Sequence, residues 1–410
     1  MVKDGYVVSI IFCLVNCHTR HYYYNEKRLK IMEDKNISFY KGKRETKVDE
    51  QFLKNEMAQY LQMDNLNFLI GAGCSSHMPD GTELGIPGMV SLYKDFFAKY
   101  PDFEVMGEAV KDKFDNNLEK MLECMGAIAV SNTIKTMDTD IEDKIKKVQQ
   151  FIRNKIIEGI SGKEVQDIYH EFYMKTVSKG RKMPISIFTT NYDLYNEQAL
   201  DMLAFPYNNG FVGTYSRIFN PASYKYAYVE DMQLSKDIWE RVPNFYNLYK
   251  LHGSITWVKE QEQIYEVDYN HINQDDTVMI YPTPLKDRTT LMTPYSDLFR
   301  AMETALLKRN SILITMGYSF SDDHINRLIL NSLAIPTFRL VIFGKSAAID
   351  KLINMNDSRI IVINSEDKIH YFNNIVQRAM PDIQEDIKEE IDIPTVAKII
   401  KAFEGEKVEQ

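Results

Sequence analysis

Phe68-Leu69-Ile70-Gly71-Ala72-Gly73-Cys74-Ser75-Ser76 is the stretch on which the fold turns. An apolar run of strand length ends on two glycines and then on small polar residues. Glycine lets the backbone turn tightly and lets another group approach closely. Three later segments repeat the pattern, each a short polar or glycine run that follows a β-like run or opens a helix-like one. They are Thr189-Thr190-Asn191-Tyr192-Asp193, Leu251-His252-Gly253-Ser254 and Gly317-Tyr318-Ser319-Phe320-Ser321-Asp322. Four such loops in one order predict strands that deliver polar groups to one edge of a sheet. In an open α/β sheet that edge is where nucleotides bind.

The run 66–70 reads as a buried strand, preceded by an amphipathic helix over 49–62 with Phe52, Met57 and Leu61 on one face. Beyond the glycine turn, 89–180 is mostly helical in pattern, as in 118–130 and 141–157, where apolar residues recur at three and four. The block is too long for one crossover helix and is read as a helical insertion module. A strand over 184–189 follows, then a weakly patterned stretch, 194–250, rich in aromatics such as Tyr207, Phe211, Trp239 and Tyr246. The runs 254–258 and 264–267 predict a β-hairpin. Strands at 278–281, 311–316, 339–343 and 359–363 then alternate with helices at 296–308, 322–333, 346–353 and 368–378. That alternation predicts an α/β fold, a Rossmann-like parallel sheet with helices on both faces. The expected organisation is an N-terminal extension (1–48), one α/β domain (49–380) and an acidic, lysine-rich tail (381–410).

Composition narrows the function. With 410 residues, 44% of them hydrophobic, the chain can bury one large core or two smaller ones. A net charge of −9 argues against broad, charge-driven binding of nucleic acid. The four cysteines, Cys13, Cys17, Cys74 and Cys124, form no CxxC pairs, so no zinc ribbon is expected. Such sparse cysteine fits a reducing cytosol, and a cytoplasmic location is expected. The apolar run 6–15 is too short to span a bilayer. Asp4 dilutes its basic head, and Tyr22-Tyr23-Tyr24 stands where a signal peptide would carry small residues. Met32 is the expected start, with Met1 as the alternative.

Each loop has two readings when taken alone. Gly71-Ala72-Gly73 followed by Ser75-Ser76 is either a structural turn or a pyrophosphate cradle opening a helix. It lacks the third glycine of GxGxxG and any Walker lysine. Asn191 either caps a helix or holds a water or a ribose hydroxyl, and Asp193 can cap equally well. His252 is either a buried structural histidine or a general base. Ser254 either contacts a ribose or stabilises the turn. Ser319 and Ser321 can bond a ribose or phosphate, and Asp322 can cap the following helix. Asp322 with His324 lacks the further ligands a metal site needs.

Together the four segments resemble the sirtuin family, and in particular the sirtuin-like domains of bacterial anti-phage defence proteins. The likeness runs in order from about Phe68 to Asn364. Gly71, Ala72, Gly73, Cys74 and Ser75 are similar to the family's pyrophosphate loop, and Gly85-Ile86-Pro87 to its Gly-Ile-Pro. Thr189-Thr190-Asn191-Tyr192-Asp193 is similar to its Thr-Gln-Asn-x-Asp. Leu251-His252-Gly253 is similar to the motif of the catalytic histidine, and Gly317 and Ser319 to its late Gly-x-Ser. Three departures separate the chain from the deacylases: Gly88-Met89-Val90 replaces their Asp-Phe-Arg, a hairpin replaces their zinc ribbon, and the aromatic segment lengthens the distance from Asn191 to His252.

The resemblance implies NAD as substrate, with Asn191 and His252 catalytic. Gly71, Ala72, Gly73, Ser75, Thr190, Asp193, Gly317, Ser319 and Ser321 would be NAD-binding. It implies an NAD glycohydrolase giving nicotinamide and ADP-ribose, acting as an anti-phage effector. Control by homo-oligomerisation and a partner, such as a HerA-type ATPase, is also implied. The alternatives are an NAD- or ADP-ribose-binding regulatory module and a partner-dependent nuclease.

Overall fold

Nine strands form one mixed sheet in the computed structural model, which describes residues 36–132, 137–178, 180–231, 239–271, 277–279 and 293–383. In chain order they are β1 (Ile37–Lys41), β2 (Arg44–Val48), β3 (Asn65–Ile70), β4 (Ile185–Thr189), β5 (Tyr207–Asn208), β6 (Tyr246–Lys250), β7 (Ser311–Met316), β8 (Arg339–Phe343) and β9 (Ile360–Asn364). Their spatial order is β2-β1-β9-β8-β7-β3-β4-β6-β5. The strands β3, β4, β6, β7, β8 and β9 run parallel. Numbered one to six along the chain, they lie in the order 3-2-1-4-5-6. This is the doubly wound arrangement, and its switch point falls between β3 and β7.

The helices are α1 (Glu50–Leu61), α2 (Met89–Lys99), α3 (Leu118–Ser131), α4 (Ile141–Gly159), α5 (Lys163–Thr176), α6 (Tyr195–Met202), α7 (Tyr295–Leu306), α8 (Asp323–Ser332) and α9 (Ala347–Asn354). Both faces of the sheet are covered, which is why its strands read as continuous apolar runs. Along β3, Leu66, Phe68 and Ile70 join one core with α1, α5 and α6, while Leu69 joins the other with α7, α8 and α9. The α/β Rossmann-like fold is therefore present, with helices on both faces.

The block 89–180 divides in two. Helices α2, α3 and α4 build their own core around Leu92, Phe96, Met121, Leu122, Phe151 and Ile152. By contrast, α5 buries Val165, Tyr169 and Phe172 in the core of the sheet, so it is the crossover helix between β3 and β4. The hairpin replacing the zinc ribbon is Gly253–Glu260 paired with Gln263–Glu266, within a second sheet of five strands.

Several expectations are corrected. Residues 37–48, placed in the N-terminal extension, are the hairpin β1–β2, which pairs antiparallel with β9 and continues the sheet. Phe52 is 40% exposed and rests edge-on against Phe39, and Leu53 takes the core position. The aromatic stretch 194–250 ends in β6, a parallel strand one in from the edge of the sheet. The strand expected at 278–281 is Thr277–Met279 and joins the second sheet rather than the first; residues 280 and 281 lie outside the described residues. The helix expected over 368–378 is a short turn, Phe372–Asn374, followed by a π turn over Ile375–Ala379. Cys13, Cys17, Met1, Met32 and the tail from 384 also lie outside the described residues.

Candidate functional site

At the switch point the loops after β3 and β7 are pressed together. Gly71 N donates to Met316 O (2.9 Å) and Gly73 N to Gly317 O (3.0 Å). A Cβ on Gly71 would lie 2.5 Å from Gly317 O, and one on Gly317, whose φ is +61°, would lie 2.6 Å from Cys74 N. The glycines are thus required by backbone against backbone, before any ligand is considered. One expectation fails here: Ser75-Ser76 does not open a helix. The chain makes a 3₁₀ turn over Ala72–Cys74, then a short strand, Ser76–His77, that pairs with Leu84–Gly85. Ile86 N is held by Ser75 O (2.9 Å), which folds the Gly-Ile-Pro segment back over the turn. The next α-helix starts only at Met89.

The loop after β4 closes on this turn. Thr190 N donates to Ile70 O (3.2 Å). Asn191, 6% exposed, donates from Nδ2 to Gly71 O (3.1 Å) and Ser75 Oγ (2.8 Å). A carbonyl only accepts, so this bond fixes the amide orientation. Its Oδ1 is buried without a hydrogen-bond partner. Asn191 does not cap a helix. Asp193 does part of that work, its Oδ1 accepting from Tyr195 N (3.1 Å) while Oδ2 accepts from Ser75 Oγ (2.6 Å). Burial pushes the Asp193 carboxyl up, against the opposing pull of Lys250. Lys250, buried at the end of β6, donates to Glu197 Oε1 (2.9 Å) and to the carbonyls of Tyr192 and Asp193. One ammonium therefore ties the Asn191 loop to the strand that carries His252.

His252 sits in the loop after β6, its side chain 13% exposed, with Nε2 3.1 Å from Asp322 Oδ2. Asp322 caps α8 as expected: Oδ1 accepts from His324 N (2.9 Å) and Ile325 N (3.2 Å). Ser254 is fully buried and bonds Thr256 Oγ1 (2.9 Å), which favours the turn-stabilising reading over ribose contact. Ser319 and Ser321 are exposed, their hydroxyls 2.8 Å apart.

These loops enclose a cleft of about 760 Å³ at the carboxyl ends of the strands, a volume typical of small-molecule sites. Ala72, Gly73, Ser75, Thr190, Asn191, Asp193, His252, Gly317, Ser319 and Ser321 all line it. Gly71 lies behind the wall and contributes its carbonyl to Asn191. Sequence reading missed Lys345 and Ser346 after β8, and His370 and Tyr371 after β9. Gly344-Lys345-Ser346 was legible as one more polar loop after a strand. Sequence reading also missed the wall that the insert supplies through Leu92, Ile152 and Ile156. Among the described residues no group of His, Cys, Asp or Glu is arranged to hold a metal ion. No described helix is long and apolar enough to cross a membrane. A second cleft, of about 740 Å³, opens at the amino ends of β4 and β6, where none of the four loops reaches.

Residues 185–339 match the family model of the SIR2-like domain. The matched span runs from β4 to the first residue of β8 and contains Asn191, His252 and Asp322. No curated protein matches the chain. The match supports a sirtuin-like family, whose domains are in general NAD-dependent enzymes, and it fits an NAD-related function.

Proposed function

We propose that the protein hydrolyses NAD at the nicotinamide–ribose bond, releasing nicotinamide and ADP-ribose, and that it serves as an antiviral effector that depletes NAD when activated. The observation that carries this reading is that Asn191, whose buried Oδ1 has no hydrogen-bond partner among the described residues, lines the same cleft as His252. A buried acceptor left without a partner costs about 1–3 kcal/mol, a cost that a bound hydroxyl or water removes. A ligand that needs only shape and charge would not require it.

In this reading Asn191 Oδ1 accepts a hydrogen bond from the attacking water or a ribose hydroxyl. The N-glycosidic electron pair leaves with nicotinamide, which departs neutral. Water gives its lone pair to the sugar carbon and a proton to the His252 imidazole, and the proton then passes to solvent. The buried Asp193–Ser75 bond holds the turn beneath Asn191 in place. Control by self-association and by a HerA-type ATPase partner belongs to the same proposal.

The test is chromatography of NAD incubated with the purified protein, alone and with an ATPase encoded beside it. Nicotinamide and ADP-ribose in equal amounts, lost in His252→Ala, support the reading. Intact NAD under both conditions, with NAD still bound, overturns it in favour of a binding module.

A further inference from the structure

We infer that Asp322 is a positioning residue for His252, holding the imidazole in a single tautomer so that Nδ1 is its basic atom. The inference rests on the hydrolase reading for its consequence, but its geometry stands apart from it. Asp322 was legible in the sequence as a helix cap, and its cap uses one oxygen. The other lies 3.1 Å from Nε2 of a histidine 70 residues earlier in the chain.

The Asp322 side chain is 7% exposed and is anchored by two backbone N–H groups at the start of α8. An ionised carboxylate only accepts hydrogen bonds, so a neutral imidazole facing it carries its proton on Nε2 and its lone pair on Nδ1. The two residues come from loops after different strands, β6 and β7, on either side of the β3–β4 pair. The contact therefore fixes the imidazole relative to the switch-point loops. When Nδ1 takes the proton of the attacking water, the resulting imidazolium lies beside a carboxylate that is already in place, so nothing has to reorganise.

Asp322→Asn separates this role from the cap. Asparagine keeps the capping oxygen but turns an N–H donor toward Nε2, which must then accept, so the tautomer inverts. The same exchange in serine-protease triads lowers kcat about 10⁴-fold by imposing the wrong tautomer. The expected result here is a kcat lower by on the order of 10²–10³-fold, with KM for NAD and the melting temperature nearly unchanged. Histidine-selective ¹⁵N labelling reads the tautomer directly, and among the eight histidines the His252 signal is the one lost in His252→Gln. The native protein should show protonated Nε2, and Asp322→Asn protonated Nδ1. Asp322→Ser, a good cap without a facing acceptor, should keep its melting temperature and lose kcat. A native His252 protonated at Nδ1, or an Asp322→Asn protein with native tautomer and kcat, would overturn the assignment. If the native protein cleaves no NAD the hydrolase reading fails, and the ¹⁵N spectra still decide the role of Asp322.

Discussion

One sheet carries two clefts of nearly equal volume, about 760 Å³ at the carboxyl ends of its strands and about 740 Å³ at the amino ends of β4 and β6. Size does not distinguish them; unmet hydrogen-bonding capacity does. Among the described residues, two buried side-chain atoms without partners, Asn191 Oδ1 and His370 Nδ1, belong to residues of the first cleft, and none belongs to the second. The cations of the second are exposed and partly paired, Lys182 with Glu240 at 2.7 Å and Arg300 with Asp297 at 3.6 Å. Surface pairs of this kind contribute little, about 0–1 kcal/mol. Parallel strands end together at one edge, so their loops converge there, and convergence is what makes a cleft into a site.

Emptying each cleft of one polar group should separate the two edges most strongly. Asn191→Ala and His252→Ala should each lower NAD cleavage by on the order of 10²-fold or more, measured as nicotinamide release. Ser186→Ala and Asn247→Ala, which line the amino-edge cleft, should leave the rate within about twofold. Comparable losses at both edges would mean that the wrong cleft has been assigned the chemistry.

Next in size is the buried pair beneath the site. Lys250→Met leaves Glu197 buried and without its cation, at a cost of about 3–5 kcal/mol measured by denaturant unfolding. Burial already holds the Glu197 carboxyl above its ordinary range, with Lys250 pulling it back. An acid whose folded pKa is raised binds more protons folded than unfolded, so its contribution favours folding at low pH and is lost as pH rises through the folded value. Removing Lys250 raises that value further. The deficit of Lys250→Met should therefore narrow as pH falls from 8 toward 5. A deficit independent of pH would show that Glu197 is not the source of the cost.

Packing of the loops comes third. Gly317→Ala meets Cys74 N at 2.6 Å from a left-handed φ of +61°, and Gly71→Ala meets Gly317 O at 2.5 Å. Each should cost about 2–4 kcal/mol, the range of backbone strain combined with overpacking. Gly81→Ala is the control, since a Cβ there meets nothing within 4 Å and bears only the strain of its positive φ. If all three melt alike, the glycines of the switch point are there for a ligand and not for one another.

The strands at 311–316 and 339–343 were legible residue for residue because each is a continuous apolar run closed by polar residues. The loops that follow them carried the site for the same reason. β6 was not legible. Tyr246-Asn247-Leu248-Tyr249-Lys250 ends on a buried lysine, which is sensible only beside Glu197, 53 residues earlier. The hairpin β1–β2 was hidden because β2 is exposed along Arg44, Glu45, Thr46 and Lys47, so its sequence shows no inward face. The helix predicted at Ser75-Ser76 failed because Gly85 and Ile86 draw those residues into a strand pair instead. The Asp322–His252 contact could not be inferred from spacing, because it exists only where two strands of a folded sheet deliver their ends to one place.

The other unpartnered atom, His370 Nδ1, should respond most weakly. Burial, and then Lys368, hold the His370 imidazole below its ordinary range, so it is neutral at physiological pH and its Nδ1 can accept a hydrogen bond. His370→Gln keeps a neutral polar group at the cleft but moves its atoms. KM for NAD should rise about two- to tenfold, the worth of one ordinary hydrogen bond, with kcat unchanged. Stability gives a second readout. A histidine whose folded pKa is depressed binds more protons unfolded, so its contribution is present above the unfolded value and is lost as pH falls through the folded one. The native protein should therefore lose more stability between pH 7 and pH 5 than His370→Gln does. If KM stays native while that difference in acid sensitivity appears, the buried nitrogen is a feature of packing. Asn191 would then stand alone as the group that waits for a ligand.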